Sequence, residues 1–562
     1  MASALAHPGL LLVAAALALA ALEGRARAAL ALAAPAGALA LAWNLEEGVH
    51  GRADFLGLAL VPFAADALSR LFAIVFALMA FCGALFALNQ ERRAELPAAF
   101  LYAGSAIGAV LAGDLLTLFV FWEAMAVGST LVLWSAATPS AYRASLRYLM
   151  VHLAGGTLLL VGIAAQVLET GSAAFAPMRP EGFAQWLILA AFLVNAAAWP
   201  LSAWLPDAYP EASWSGMVFL SAFTTKTAVY ALLRGFPGAE ILVPVGLVMV
   251  FYGIVYALLE NDMRRILAYS IVNKVGFMVA GAGIGTPMAL NGAAAHAFTH
   301  ILYKALLLMS AGSVLYRTGR RLCTDLGGLW RSMPLTCACG IVGALSSSSF
   351  PLTSGFVSKS MIGQAAAEGH LFVVWMLFAA ASAGVFLHAG FPWFVFFQKD
   401  SGLRPPDPPW NMRAAMLLLA ALCIGLGIAY GPLYALLPYS ATYEPYTAWH
   451  LVAQLQLLLF SGLAFFAMLG WLKRTRTITL DTDWLWRGAP ARAVARTAAA
   501  CAAAFATAEA RLRAGLRSAG AQARRLHGPQ APLARTWPSG AIGIGVMSLL
   551  LALLLSYYLS GG

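Results

Sequence analysis

Long apolar runs fill nearly the whole chain, and short polar stretches separate them. A membrane-spanning helix needs about 20 mainly apolar residues, and runs near this length recur from one end of the chain to the other. The pattern predicts sixteen spans, at 9–22, 28–44, 68–89, 97–113, 115–136, 145–168, 184–207, 213–234, 240–259, 264–284, 289–316, 334–366, 370–398, 411–431, 447–472 and 540–560. We expect an all-α polytopic membrane protein with about 14–16 transmembrane helices.

Composition excludes a water-soluble protein, and also a soluble domain with a single anchor. Of the 562 residues, 61% are apolar and 10% are charged, whereas a soluble domain is about half apolar and a quarter charged. The first apolar run, Leu10–Leu22, has no charged region before it, so we interpret it as a span rather than a cleaved signal. The six cysteines match no disulfide or zinc spacing, and we expect no metal centre and no cofactor.

The net charge of +11 is concentrated near the C-terminus, where 473–539 holds twelve basic and three acidic residues. We interpret this segment as a solvated loop with one amphipathic helix, Ala491–Arg525, beside anionic lipid headgroups. Nucleic-acid binding is disfavoured because aromatic residues do not interleave with the basic ones. Elsewhere, loops after odd-numbered spans carry most of the basic residues, so the positive-inside rule predicts that these loops are cytoplasmic in an inner membrane and that both termini lie outside.

Four lysines lie inside predicted spans: Lys226, Lys274, Lys304 and Lys359. One carboxylate, Glu123, lies in mid-span, and four histidines lie at similar depth: His152, His296, His300 and His388. Buried charges are costly and usually mark an ion path. Structural ion pairs would balance, whereas these groups have excess base. A lone buried histidine is commonly bonded to a backbone carbonyl, and this alternative stays open for His152 and His388.

One helix face carries three of these groups. His296, His300 and Lys304 are spaced four residues apart, which places them on one side of a helix over about 12 Å. A polar stripe on an otherwise apolar helix favours a proton path over a structural core.

Two spans contain helix breakers. Pro200 and Pro206 interrupt the first, and Pro351 and Gly355 interrupt the second. Broken helices are tolerated where they line a polar cavity, and a pair in corresponding halves indicates inverted repeats. If the repeats are 97–234 and 240–398, Glu123 matches Lys274, and Asn195 lies near the place that matches Lys359.

The predicted organisation has six parts. These are N-terminal helices (1–96), a first five-helix repeat (97–234), a second five-helix repeat (240–398), C-terminal helices (399–472), the basic segment (473–539) and a last span (540–562).

Several strings resemble the proton-conducting antiporter-type subunits, which include the antiporter-like membrane subunits of respiratory complex I and the A-type and D-type subunits of Mrp sodium/proton antiporters. The strings are GDLLTLFVFWEAM, PLSAWLPDAYPEA, FTTKTAVYALLR, LENDMRRILAYSIVNKVGFM, HAFTHILYKALLLMSAG, DLGGLWRSMP and FPLTSGFVSK. They cover about 100–365 in the family's order. YEPYTAWHLVAQLQLLLF and LDTDWLWR look most like the Mrp D-type subunits.

The resemblance implies two inverted five-helix repeats, each with a broken helix and a half-channel. It implies that Glu123 is the glutamate that pairs with a lysine and that Lys226 is the central lysine. It also implies that His300 and Lys304 connect the two halves and that Lys359 is the terminal lysine.

One departure concerns the partner of Glu123. The family usually has a lysine five residues before the first break's proline, where this chain has Asn195, and it tends to have glutamine where this chain has Lys274. We hypothesise either that the lysine has been relocated or that the first half-channel no longer pumps in the usual way.

Three functions remain open from the sequence. The first is a proton-translocating subunit of a multi-subunit Na⁺/H⁺ antiporter, with other membrane subunits as partners. The second is an energy-coupling subunit of a redox complex such as complex I or a membrane hydrogenase, with electron transfer in the partners. The third is a scaffold, or a module that energises uptake of inorganic carbon. No bond chemistry is visible, so enzyme status depends on the assembly.

Overall fold

The computed structural model describes residues 7–476, 480–528, 531 and 537–560. Parts of the predicted basic segment, 477–479, 529–530 and 532–536, therefore lie outside the described residues, as do 1–6 and 561–562. The chain divides into two units, Met1–Asp483 and Trp484–Gly562.

The first unit is built from helices. In chain order they are α1 (Pro8–Ala21), α2 (Gly24–Trp43), α3 (Ala67–Phe86), α4 (Glu95–Val110), α5 (Leu115–Trp134), α6 (Pro139–Thr170), α7 (Phe183–Asn195), α8 (Trp204–Ala208), α9 (Gly216–Ala222), α10 (Thr224–Gly235), α11 (Leu242–Leu259), α12 (Met263–Ile284), α13 (Pro287–Thr318), α14 (Pro334–Ser347), α15 (Ser354–Ala367), α16 (Leu371–Pro392), α17 (Trp410–Ile428), α18 (Gly431–Tyr434) and α19 (Ala448–Ala467).

A short β-hairpin interrupts the helices after α2. Strands β1 (Gly48–Phe55) and β2 (Leu58–Ala65) pair antiparallel. The carbonyl of Val61 on β2 accepts a hydrogen bond from the Gly113 N–H, and the Val61 N–H donates to the carboxylate of Asp114. The hairpin was not predicted from the sequence, and it fixes the start of α5.

Twelve helical segments in the described part of the chain are long and apolar enough to span a membrane, and four shorter apolar helices accompany them. Each of the sixteen predicted spans overlaps one of these helices. The fold prediction of an all-α polytopic membrane protein is confirmed. The predicted bounds shift by a few residues at several ends, because capping residues and not the apolar run fix where a helix begins and stops.

Glycines let α11 and α12 pack backbone against backbone. A Cβ added to Gly246 would lie 2.5 Å from the Gly276 carbonyl oxygen, and a Cβ added to Gly253 would lie 2.5 Å from the Asn273 amide nitrogen. Small residues at a helix interface are the usual basis of close packing in a membrane, where no hydrophobic effect drives helices together. This packing holds α12, which carries Lys274, in a fixed position.

The two broken helices end in the same way. At the end of α7, the Ala198 N–H bonds the Leu193 carbonyl, and Ala197 has a positive φ of 58°. At the end of α14, the Phe350 N–H bonds the Leu345 carbonyl, and Ser349 has a positive φ of 60°. Both are left-handed helix terminations with a six-to-one hydrogen bond. Each break leaves non-helical backbone between two helical pieces, as the two proline motifs predict.

Two long helices also match in length and in the residues at their ends. Both α6 and α13 contain 32 residues, each begins with a threonine cap on a proline, and each ends at a left-handed glycine, Gly171 or Gly319. The preceding helices start alike, because Asp114 and Asp262 both cap a helix and both form an isolated bridge to a distant loop. This shared register is what a duplicated five-helix unit would give.

The second unit contains α20 (Trp484–Arg487), α21 (Ala489–His527) and α22 (Ser539–Leu559). At 1.5 Å per residue, the 39-residue α21 is about 58 Å long. It includes the predicted amphipathic helix Ala491–Arg525, and α22 matches the predicted last span.

Candidate functional site: a row of buried ionisable side chains

Helix α13 carries the predicted stripe of His296, His300 and Lys304, and all three side chains are buried. His296 Nδ1 lies 3.0 Å from the Ser358 hydroxyl on α15, and its Nε2 lies 3.4 Å from the Tyr303 hydroxyl. The Lys304 ammonium donates to the Ser270 hydroxyl on α12. The stripe therefore connects to the helices on both sides of α13.

His300 lies between the other two groups. Its ring centroid is 6.2 Å from that of His296, and both of its nitrogens are buried without a hydrogen-bond partner in the described part of the chain. An unpartnered imidazole inside a protein is uncommon, because a buried polar atom normally keeps a partner. Such a group is available to accept or pass a proton.

Lys226 lies just after a third interruption of a helix, between α9 and α10. Its ammonium donates to the carbonyl of Ser221 at 2.6 Å and to the hydroxyl of Thr225 at 3.1 Å. The Phe223 backbone departs from helical geometry at this point, with φ −104° and ψ −67°. The interruption frees the Ser221 carbonyl for the lysine. Neither a proline nor a glycine signals this interruption in the sequence.

Lys274 and Lys359 contact one aromatic ring. Their Nζ atoms lie 5.4 Å and 4.9 Å from the centroid of the Phe277 ring, within cation–π distance. Phe277 also lies against His296, with ring centroids 6.5 Å apart. The ring therefore contacts two ammonium groups beside the start of the α13 stripe.

A cavity of about 270 Å³ lies at the terminal lysine. Lys359 and Ser349 line it from the broken helix, His450 and Gln454 line it from α19, and apolar side chains of α16 form another wall. The hydroxyl of Ser349 has no hydrogen-bond partner among the described residues. A mainly apolar cavity of this size has room for water beside its few polar lining groups, and it joins Lys359 to the surface between three helices.

Glu123 and Asn195 meet successive glycines of α6. A Cβ added to Gly156 would lie 1.8 Å from Glu123 Oε1, and a Cβ added to Gly155 would lie 3.7 Å from Asn195 Oδ1. The Glu123 Oε1 atom and both polar atoms of the Asn195 amide are buried, and the residues that the structure describes offer them no hydrogen-bond partner. The two side chains therefore reach the same turn of α6, and neither satisfies its polar atoms there.

Glu123 and the four lysines have no ion-pair partner in the described part of the chain. None of the ion pairs among the described residues includes Glu123 or any of the four lysines. The charge of Lys304 acts on Lys226, and the charges of Lys359 and Lys304 act on Lys274. Adjacent like charges in a medium of low polarity repel strongly, so a proton gained by one group alters the proton affinity of the next.

The two remaining histidines have different partners. His152 Nδ1 lies 2.9 Å from the Tyr148 carbonyl, the backbone contact that the sequence left open. His388 Nε2 instead lies 2.8 Å from the hydroxyl of Ser347, the last residue of α14. His388 is thus bonded to a side chain at the second break rather than to a backbone carbonyl.

The matched helix ends alter two of the expected correspondences between the halves. The two breaks align Asn195 with Ser347, so Asn195 does not match Lys359. The helix caps place Lys274 three residues beyond the counterpart of Glu123. The sequence could not give this register, because hydrogen bonds at helix ends define it.

The matching positions of α6 and α13 reveal two residue pairs that the sequence alone did not show. His152 and His300 are both the fourteenth residue of their helices, and Gly156 and Lys304 are both the eighteenth. The first half therefore has a glycine where the second half has a buried lysine. The carboxylate of Glu123 occupies the space beside that glycine.

The buried carboxylate of Glu95 was also missed. Glu95, at the start of α4, is fully buried and accepts hydrogen bonds from Ser213 at 2.6 Å, from Gln90 at 3.1 Å and from the hydroxyls of Ser135 and Ser215. In the sequence it ends a charged stretch, ERRAE, that is typical of an exposed loop. No local pattern marked it as buried.

Comparison with known proteins identifies the family. The family described as NADH:quinone oxidoreductase/Mrp antiporter, transmembrane, matches residues 112–384. This range includes all the predicted site residues, from Glu123 to Lys359. Two curated relatives have the same sequence identity to this chain. The D-type Na⁺/H⁺ antiporter subunit of Alkalihalophilus pseudofirmus is 29% identical over 375 residues, covering 62% of this chain and 75% of the relative. The N-type NADH-quinone oxidoreductase subunit of Desulforudis audaxviator is 29% identical over 358 residues, covering 57% and 70%.

Solved structures share the fold. A chain of the Mrp complex from Dietzia sp. superposes with a TM-score of 0.65 and 22% identity, covering 81% of this chain and 95% of that one. A chain of the membrane-bound sulfane sulfur reductase, an archaeal respiratory membrane complex, superposes with a TM-score of 0.70 and 24% identity, covering 97% and 99%. With its membrane-length helices and its family match, this chain is a multi-pass, antiporter-like membrane subunit whose residues 112–384 match the NADH:quinone oxidoreductase/Mrp antiporter family.

Proposed function

We propose that this chain is the proton-translocating membrane subunit of a multi-subunit cation/proton antiporter, with Na⁺ as the exchanged cation. Protons would move along the row formed by Lys226, His300, Lys304, Lys274, His296 and Lys359, and Glu123 and Asn195 would form the site of the first half. The observation that carries the proposal is that three buried lysines, Lys226, Lys274 and Lys304, and the half-buried Lys359 form no ion pair with a carboxylate among the described residues.

The physical argument rests on the cost of buried charge. An ammonium in a medium of low polarity is expensive unless it is paired, and a lysine in this position can exist with or without its proton near neutral pH. The charges of Lys359 and Lys304 both act on Lys274, so protonation of one lysine favours proton release from its neighbour. A row of such groups transfers charge stepwise, and no single group has to carry it across the whole distance.

The cavity beside Lys359 supports proton release at this end of the row. It gives the terminal lysine contact with water, whereas Lys226 is fully buried at the other end. With the odd-numbered loops in the cytoplasm of an inner membrane and both termini outside, we propose that the row joins the two halves laterally and releases protons through this cavity. Other membrane subunits of the same assembly would complete the path for the exchanged cation.

The test measures antiport in everted membrane vesicles that contain the complete complex. Lys359→Ala and Lys304→Ala are expected to abolish Na⁺-dependent proton release, because each removes one proton carrier from the row. Lys473→Ala is the matched control, since Lys473 is an exposed residue outside the row and its loss leaves the row intact. Native antiport in both buried-lysine variants, with the chain present at its usual level, would contradict the proposal.

A second candidate is the energy-coupling subunit of a redox complex. The observation that favours it is α21, a 39-residue helix followed by a final span, in the segment where the sequence suggests the lateral helix of the largest complex I antiporter-like subunit. Purification of the complex in mild detergent separates the two functions. Partners that contain flavin or iron–sulfur clusters would favour the redox assembly, and partners without redox centres would favour the antiporter.

A further inference from the structure

The place of the missing lysine is a poorly satisfied polar site in the first half of the protein. Glu123 Oε1 and both amide atoms of Asn195 lack hydrogen-bond partners within the described chain, and Asn195 is only 1% exposed. Glu123 is half-buried as a whole, but its Oε1 atom and the Asn195 amide have lost their hydration without compensation. A group from outside the described chain that satisfied these atoms would stabilise the arrangement.

Three features of the site favour a small cation. Glu123 supplies one negative charge, the Asn195 amide supplies a neutral oxygen, and α7 ends at Asn195, so the negative end of that helix dipole points at the same place. Carboxylate, amide and carbonyl oxygens are ligands for hard cations. Half-helix C-termini at a break are a known way for membrane proteins to hold Na⁺.

The charge balance selects a monovalent ion. One carboxylate neutralises one positive charge, and among the described residues no group of three or more His, Cys, Asp or Glu could hold a metal ion. Calcium usually takes six to eight oxygen ligands that include several carboxylates. A single carboxylate with neutral oxygens suits an alkali cation better.

The second half of the protein shows what occupies the equivalent space. There the position that matches Gly156 is Lys304, whose ammonium is built into the chain and bonded to Ser270. In the first half the matching residue is a glycine, and Asn195 adds no charge. Where the second half has a fixed cation, the first half therefore has the Glu123 carboxylate without an ion-pair partner among the described residues.

We propose that Glu123 and Asn195, against Gly155 and Gly156 of α6, form a binding site for Na⁺. The site deepens the proposed antiporter function by naming where the exchanged cation binds, and it rests on that function. His152 lies one turn before Gly156, and its Nε2 has no partner among the described residues. It would pass a proton to Glu123 when Na⁺ leaves and take the proton back when Na⁺ returns.

The test follows the reaction of Glu123 with a hydrophobic carbodiimide in membranes that contain the complete complex, with modification at Glu123 read by mass spectrometry. This reagent attacks the protonated carboxyl group, so a bound cation should slow the reaction. Na⁺ is expected to protect Glu123, relative to choline at equal ionic strength. Equal labelling in Na⁺ and choline would overturn the proposal, and so would protection by K⁺ in place of Na⁺.

Three variants of Asn195 sharpen the test. Asn195→Lys supplies a fixed ammonium, so Na⁺ should no longer alter the labelling. Asn195→Leu removes one oxygen ligand and should raise the half-protecting Na⁺ concentration about tenfold, the equivalent of about 1.4 kcal/mol. Asn195→Asp adds a carboxylate and should lower that concentration. Unchanged Na⁺ protection in all three variants would show that Asn195 is not a ligand and would overturn the proposal.

Thermal unfolding of the purified complex provides a readout that needs no labelling. Na⁺ that binds only the folded protein raises the unfolding temperature, and this rise should be present in the native complex and absent after Asn195→Lys. If the reagent does not reach Glu123, this thermal measurement decides the question. An unfolding temperature of the native complex that does not rise with Na⁺ would then overturn the proposal. Neither measurement requires transport. An active antiporter without Na⁺ protection would refute this site alone, and a Na⁺-binding protein without antiport would refute the proposed function alone.

Discussion

Gly156→Ala tests whether the position of the Glu123 carboxylate matters, because it changes the position and leaves the carboxylate in the chain. The new Cβ would lie 1.8 Å from Glu123 Oε1 and 2.7 Å from its Cδ. Carbon and oxygen atoms that are not bonded approach to a little over 3 Å, so the carboxylate must withdraw by about 1.5 Å.

The expected effect on folding is small. The colliding atoms are the far end of a flexible side chain, and a shift in its rotamer costs about 0.5–1.5 kcal/mol. Alanine is favoured over glycine inside a helix by about 1 kcal/mol. The two contributions nearly cancel, and the free energy of unfolding should change by less than about 1 kcal/mol.

The expected effect on transport is large. A misplacement of about 1 Å at a reacting group can lower a rate about 10²-fold, so antiport in everted vesicles should fall nearly as far as in Glu123→Gln. Gly425→Ala is the matched control, because a Cβ at that helical position has open space around it. The double variant Gly156→Ala with Glu123→Asp should recover part of the activity, since the shorter side chain retracts the carboxylate. Native antiport in Gly156→Ala, or no recovery in the double variant, would refute the reasoning.

Three further predictions concern the rest of the molecule. Lys274→Gln should lower antiport at least about tenfold, because it removes one proton carrier; an unchanged rate would rule out the relocated-lysine hypothesis. Arg264→Ala should destabilise the purified complex by about 3 kcal/mol or more, since the buried guanidinium donates to three loop carbonyls at 2.7–2.8 Å; exposed Arg320→Ala should unfold at the native temperature. Ala453→Trp should fill the cavity at Lys359 and slow antiport with little change in unfolding temperature, and a native rate would exclude that proton route.

The membrane fold could be predicted from the sequence because its cause is local in the chain. Each span must bury an apolar run in lipid and satisfy its backbone within its own helix, so each of the sixteen runs overlaps a membrane-length or shorter apolar helix. The two proline motifs mark breaks for the same reason, since proline removes a backbone donor wherever it occurs. The break at Lys226 has no such residue, and it was missed.

The site, like the fold, could be predicted from the sequence only in part. The sequence identified which ionisable groups lie in apolar surroundings, because an apolar run around a lysine is visible in one dimension, and the spacing of His296, His300 and Lys304 fixed their common helix face. The sequence could not show that Lys274 and Lys359 contact one Phe277 ring, or that Glu95 is buried by four polar neighbours from other segments. Those contacts join residues that are far apart in the chain.

What the sequence alone determined about this protein is its class, its spans and the inventory of groups that can carry a proton. Only the tertiary structure decided which of these groups are neighbours and which lack partners among the described residues. The physical reason is that hydropathy and helix-breaking are properties of short segments, whereas a missing hydrogen bond depends on every helix packed around the atom. The unsatisfied Glu123 and Asn195 side chains, beside a glycine where the matching helix has a lysine, exist only in that packed arrangement.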